Sequence, residues 1–181
     1  LPDPAHQALL LAACARWLDT PLLAPRGVGR AATLAGFETT QIELEFWIEA
    51  PDVDVAALDR LVRRRTLDGM PRQPIAPRQL RGMLKGFIDL VFEHEGRFHV
   101  LDYKSNWLGP DASHYGQQTL REAMILHRYD LQAVLYQFAL HRLLRSRLPD
   151  YDYDRHAGDA LYWFLRGADA PGAGALALRP D

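Results

Sequence analysis

Two aspartates and a lysine carry the first chemical signal in this chain. The stretch LDYKSNWLG (101–109) sets Asp102 and Lys104 two residues apart, on one face of an extended strand. The stretch GFIDLVF (86–92) carries Asp89, upstream of a Glu95-Gly96 pair that reads as a two-residue hairpin turn between β-rich runs. With that turn, His94 faces Arg97, Val91 faces Val100 and Leu90 faces Leu101. The same register sets Asp89 opposite Asp102, with Cβ atoms about 4.5–5.5 Å apart. A bulge at the turn would shift the pairing by one. Opposed carboxylates repel. A proton on one of them, the charge of Lys104, or a divalent cation bound between them relieves the repulsion. The apolar neighbours Leu90, Val91, Val100 and Leu101 imply a partly buried pair, where an uncompensated charge costs more, and this favours the cation. The competing reading is a surface Asp–Lys pair at a strand end.

Two carboxylates, a cation and a lysine suit phosphodiester hydrolysis. The cation makes bound water more acidic and offsets charge on phosphate oxygens. The lysine orients the attacking water or offsets developing negative charge. All-oxygen ligands suit Mg²⁺, whereas zinc prefers His and Cys. Glu43 and Glu45 alternate with apolar residues on an earlier strand. Either could add a contact to the site, or both are solvated. Gln132 and Tyr136, four apart in RYDLQAVLYQFALHRLL (128–144), share one helix face, as a site edge or as an amphipathic helix border. Arg121, Arg128, His141, Arg142, Arg145 and Arg147 could touch a phosphate backbone or form solvated helix charge.

The elements that must hold these residues follow from periodicity. Residues 6–19 form a helix stopped by Pro21 and Pro25. A strand runs from about Thr40 to Ile48, with Ile42, Leu44, Phe46 and Ile48 on its apolar face. Residues 53–65 form a short amphipathic helix whose arginine run reads as a solvated face, and 68–77, with three prolines, form a loop. The hairpin 85–105 comes next, then two helices within 116–147, a last strand at 159–167, and a Gly/Ala/Pro-rich tail expected to be mobile or peripheral. The order predicts one α/β domain with a mixed sheet flanked by helices and a core over 41–167.

The whole composition narrows the classes. The 181 residues suffice for one domain, and a net charge of −2 does not by itself mark a nucleic-acid binder. The single cysteine, Cys14, excludes an internal disulfide and a four-cysteine iron–sulfur cluster. The chain has no phosphate loop for ATP, no membrane-length apolar run and no signal peptide, so a cytoplasmic location is the default expectation. It begins with Leu1, consistent with a piece of a larger polypeptide.

RGMLKGFIDLVFEHEGRFHVLDYKSNWLG (81–109) and HRYDLQAVLYQFALHRLL (127–144) together resemble the C-terminal nuclease domain of the RecB family, the β subunits of bacterial exonuclease V. The similarity runs from about Gln41 to Gly167. It implies a PD-(D/E)xK fold and a Mg²⁺-dependent nuclease acting on DNA beside RecC-like and RecD-like subunits in double-strand break repair. Mn²⁺ or Ca²⁺ would substitute for Mg²⁺ in binding. It further implies that Asp89 and Asp102 bind metal with the Tyr103 backbone carbonyl. Lys104 is then the catalytic lysine, Glu43 an active-site glutamate, and Gln132 and Tyr136 the Gln-xxx-Tyr motif. The family also places a metal-binding histidine upstream. Here only His6 precedes Glu43, and it reads as a solvated helix residue. Two alternatives stay open: a non-catalytic nuclease-like module binding partner subunits or DNA, and a metal-dependent phosphoesterase acting on RNA.

Overall fold

The computed structural model of the chain describes residues 3–23, 31–170 and 172–179. Pro25, expected to help stop the first helix, lies outside the described residues, as do Leu1 and residues 171, 180 and 181 of the expected tail. Helix α1 spans Pro4–Asp19, with the Asp3 carboxylate accepting from the Ala5 amide and Pro4 at the first position, where its missing N–H costs nothing. Strand β1 (Thr40–Asp54) leads into α2 (Val55–Arg65), which Asp54 caps through the Ala56 and Ala57 amides. Strands β2 (Gln79–His94) and β3 (Arg97–Lys104) follow, then α3 (Gln117–Leu126), α4 (Tyr129–Arg147), the single turn α5 (Tyr153–His156), β4 (Ala157–Phe164) and β5 (Ala175–Leu178).

Among the described residues, five strands form one sheet in the order β1-β2-β3-β4-β5. Only β3 and β4 run parallel; the other neighbours are antiparallel. A parallel pair needs a crossover, and α3 and α4 supply it, covering one face of the sheet. This is the mixed α/β sheet expected. One core lies under those helices and includes Ile88, Val100, Leu120, Met124, Leu140 and Tyr162. A second, on the other face, joins Leu22, Leu90, Phe92, Leu101, Leu161 and Trp163, with Trp17 of α1 edge-on to Trp163 at 6.4 Å. No helix among the described residues is long and apolar enough to cross a membrane.

The hairpin has the expected register: His94 pairs with Arg97, Val91 with Val100 and Leu90 with Leu101. Glu95 (φ 50°) and Gly96 (φ 76°) are both left-handed, as a two-residue I′ turn demands. Three expectations are corrected. First, β1 and β2 reach well past Ile48 and before Lys85. Pro51 sits on the edge strand β1, where the ladder shifts between Ala50 and Val53, so its missing N–H breaks nothing. Second, Ile42, assigned to the apolar face, is 68% exposed. Third, the expected peripheral tail supplies β5, paired to β4 with Ala175, Leu176 and Leu178 buried. Gly172 (φ 83°) and Gly174 (φ 64°) turn the chain back to make that pairing. A composition rich in Gly and Ala hid a strand that contributes its backbone and three small or apolar side chains.

Candidate active site

The exposure of Ile42 has a local cause. Ile42 pairs with Leu90 and Leu44 with Ile88, so Glu43 and Asp89 lie at the same level of the β1–β2 ladder. Glu43 has φ 50°, a conformation rare for a non-glycine residue inside a strand. Strand alternation breaks there on both strands. Ile88 enters the helix-side core while Leu90, two residues on, enters the opposite one. Leu44 packs on the helix-side core and Ile42 does not. An unusual backbone of this kind persists only where its surroundings enforce it, and such positions cluster at functional sites.

At the same level the β2–β3 ladder ends. Beyond Leu90–Leu101, the Tyr103 amide donates to Asp89 Oδ2 at 2.9 Å, so a side-chain oxygen replaces the backbone acceptor. A residue in a strand turns its N–H and C=O to the same side, so the Tyr103 carbonyl also faces this edge. Asp102, 4% exposed, holds Lys104 Nζ at 2.5 Å from its Oδ2. Asp89 is close enough for its charge to raise the pKa of Asp102 and of Tyr136. The charge of Asp89 therefore reaches Asp102, although the ladder stops at Leu90–Leu101 and does not include the expected Asp89–Asp102 pair.

Helix α4 closes the other side. Gln132 Oε1 accepts from Lys104 Nζ at 3.1 Å and from the Tyr162 hydroxyl at 3.2 Å, while its Nε2 donates to the Tyr136 hydroxyl at 2.8 Å. The Tyr136 hydroxyl stands close enough to Asp102 to favour its ionised carboxylate. Burial, with the charge of Asp102 behind it, pushes the Tyr136 phenol well above its ordinary range, so it serves as a neutral donor. Lys104 Nζ lies 3.8 Å from the centroid of the Tyr129 ring, which stacks on Tyr162. Tyr129 and Tyr162 escaped the sequence reading. Tyr129 precedes Gln132 by three and Tyr136 by seven, the spacing of one helix stripe, and that was the available signal. Gly86 was also missed. A Cβ there would lie 2.3 Å from the Phe46 ring, and that ring packs edge-on to Tyr136 at 5.8 Å.

Other candidates are placed elsewhere. Glu45 gives its carboxylate to Lys85 (3.2 Å) and to Trp47 Nε1 (2.6 Å), away from the aspartates. Arg121 pairs with Asp68, and Arg128 with Asp59 and Asp130. His141 bonds the Tyr151 hydroxyl. Arg142 and Arg145 line an open hollow of about 460 Å³ with Phe138. Arg147 borders an apolar cleft between β1 and α4. His6 is exposed on α1.

The donor set fits a hard divalent cation. Among the described residues no group of three or more His, Cys, Asp or Glu side chains is arranged to hold a metal, so Glu43 is not drawn into a three-acid cluster. Two carboxylates and a backbone carbonyl remain, matching the one or two protein carboxylates Mg²⁺ takes while keeping waters. Asp89 Oδ1 has no hydrogen-bond partner among the described residues.

Burial raises the Asp102 carboxyl above its ordinary 3.8 and the charge of Asp89 adds to the rise, while Lys104 and Tyr136 oppose it. The folded chain thus holds this proton more tightly than the unfolded one. Ionised Asp102 subtracts stability at neutral pH, and the loss is recovered as pH falls through the raised value toward 3.8. A cation needs the ionised form. Calorimetric Mn²⁺ affinity is expected to fall on acidification with a midpoint above 3.8; a midpoint at or below 3.8 contradicts this.

Comparison with known proteins agrees with the geometry. A family model of the PD-(D/E)XK nuclease superfamily matches residues 7–179. The chain is 47% identical over 169 residues to the RecBCD enzyme subunit RecB of Escherichia coli (strain K12), covering 91% of this chain and 14% of that protein. It is 37% identical over 171 residues to RecB of Haemophilus influenzae, with 91% and 14% covered. It is 38% identical over 168 residues to RecB of Mycobacterium tuberculosis (strain ATCC 25618 / H37Rv), with 82% and 15% covered. The chain thus spans only 14–15% of the length of these relatives.

Proposed function

The chain belongs to the PD-(D/E)XK nuclease superfamily, and on that premise we propose that it is the nuclease domain of a RecB-type subunit, hydrolysing DNA phosphodiester bonds with Mg²⁺. The observation that carries this reading is the convergence of Asp89, Asp102 and Lys104 at the end of one hairpin, with Gln132 and Tyr136 closing over them. Asp89, Asp102 and the Tyr103 carbonyl would hold the cation. When bound, it acidifies water and offsets charge on the phosphate oxygens. Lys104, fixed by Asp102, Gln132 and the Tyr129 ring, donates a hydrogen bond to the attacking water or to a phosphate oxygen. Tyr136, held by Gln132, favours the ionised form of Asp102. Glu43, level with Asp89 on a strained backbone, would orient a water beside the cation.

The larger assignments rest on the RecB relatives. They support an exonuclease V type activity, RecC-like and RecD-like partner subunits, and a cytoplasmic role in double-strand break repair and recombination. Incubation of the chain with linear DNA tests the catalytic core. Cleavage is expected with Mg²⁺ or Mn²⁺, none in EDTA, and none from Asp102→Ala. Intact DNA with both metals, or an Asp102→Ala variant that cuts at the parent rate, overturns the assignment.

A further inference from the structure

The loop that follows Lys104 is pinned at almost every residue. The Ser105 carbonyl accepts from Arg166 Nε at 3.1 Å. Asn106 Oδ1 accepts from the Tyr129 hydroxyl at 3.3 Å, and its Nδ2 meets His127 Nε2 at 3.3 Å. The Leu108 amide donates to the Tyr115 hydroxyl at 3.2 Å. Gly109 is buried against His114, whose ring atoms would lie 2.1 Å from any Cβ there. One side chain stands outside this scheme. Trp107 is 67% exposed, and no hydrogen bond or ring contact engages it among the described residues.

The other three tryptophans are spoken for. Trp163 is buried with its Nε1 bonded to the Ala173 carbonyl, and Trp17 packs against it. Trp47 donates to Glu45 and carries Lys85 over its ring at 4.9 Å. Trp107 therefore presents a bare indole on a backbone that is already fixed. A single exposed apolar residue is ordinary on a protein surface, so what singles out Trp107 is its position. It is close to the chemistry. Three residues of chain span at most about 11 Å, so the Trp107 backbone stays within that distance of Lys104.

We propose that Trp107 is a base-stacking residue: its indole receives one unstacked nucleobase of the strand whose phosphate sits at Asp89, Asp102 and Lys104. The inference rests on the nuclease reading above and extends it to a contact with the base. Electrostatic attraction to phosphates is independent of sequence and lets a strand slide past the protein. A flat ring held on a pinned loop fixes the register of the nucleotide against the cation, and it accepts any base, since each has a π face. The rigidity of Ser105–Gly109 means that little ordering is needed on binding.

Anisotropy of a labelled single-stranded oligonucleotide, in EDTA so that nothing is cut, tests the proposal. Trp107→Ala is expected to weaken affinity roughly five- to hundredfold, the range found for removing one stacked base, and Trp107→Phe is expected to recover most of it. Against an abasic strand of equal length, parent and Trp107→Ala should bind alike. A merely structural tryptophan would lower affinity for both strands equally, and that result overturns the proposal. Unchanged affinity in Trp107→Ala also overturns it and points instead to a protein partner for this surface. Cleavage assays in Mg²⁺ separate the two readings. A cutting parent with no Trp107 effect sinks only the stacking role. A Trp107 effect without any cutting sinks only the nuclease role.

Discussion

Lys104→Ala is expected to lower the single-turnover rate of DNA hydrolysis by roughly two to three orders of magnitude, the cost of removing one preorganised electrostatic donor from an active site. The size of the effect follows from how completely this ammonium is held. Its Nζ lies 2.5 Å from Asp102, 3.1 Å from Gln132 and 3.8 Å from the Tyr129 ring centroid, and the residue is only 9% exposed. A donor fixed in this way needs no reorganisation as charge develops on the phosphate, and the shielded setting strengthens its field. Water entering the vacated space would be neither charged nor fixed. The variant also removes the cation that holds the Asp102 carboxyl down, leaving burial and Asp89 to raise it further. The deficit should therefore widen as pH falls. Far-UV circular dichroism should survive, as should Mn²⁺ binding at neutral pH, because the proposed ligands are untouched. A rate within a few-fold of the parent would show that Lys104 only pairs with Asp102.

Arg72→Ala is expected to destabilise the fold by about 3–5 kcal/mol, since it strands a buried carboxylate. The Arg72 and Asp130 side chains are both 0% exposed and meet at 2.8 Å. All five guanidinium hydrogens are used, on Asp130, Thr66 Oγ1 and the carbonyls of Arg63, Thr66 and Met70. Arg128, left-handed at the start of α4, adds bonds to Asp130 and Asp59. The network ties α2 and the proline-rich loop to the first turn of α4, the helix that carries Tyr129, Gln132 and Tyr136. Thermal unfolding should drop by roughly 6–20 °C in Arg72→Ala, from the usual shift per kcal/mol for a chain of this size. Arg72→Lys should also fall, because one ammonium cannot reach five acceptors. Loss of only a degree or two in Arg72→Ala would mean that the network is hydrated and weak.

The sequence showed what local rules control and missed what distant packing controls. A Glu-Gly turn and period-two alternation were enough to set the β2–β3 register from His94–Arg97 to Leu90–Leu101, one step short of Asp89 and Asp102. Helix spacing was enough to pair Gln132 with Tyr136, and the two are in fact bonded to each other. The kink at Glu43 and Asp89 was not visible, because alternation assumes an unbroken strand and Ile42 matched the pattern. The β5 strand was hidden because small residues carry little strand propensity and its pairing to β4 spans a turn of positive-φ glycines. The Arg72–Asp130 pair joins residues too far apart in the chain for any local pattern, and its arginine sits in a stretch that reads only as a proline-rich loop. Tyr162 enters the site only because β4 runs parallel to β3 and sets it level with Asp102, a consequence of the crossover and not of its own neighbourhood.

Anomalous diffraction from crystals soaked in Mn²⁺ bears most directly on the central claim, that the hairpin end exists to hold a divalent ion beside an ammonium group. One strong peak is predicted within coordination distance of the Asp89 and Asp102 carboxylates and the Tyr103 carbonyl, with Lys104 adjacent and not ligating. A saturating soak that leaves this position empty, or a peak bound elsewhere while Asp89 and Asp102 keep only their contacts to Tyr103 and Lys104, would contradict it.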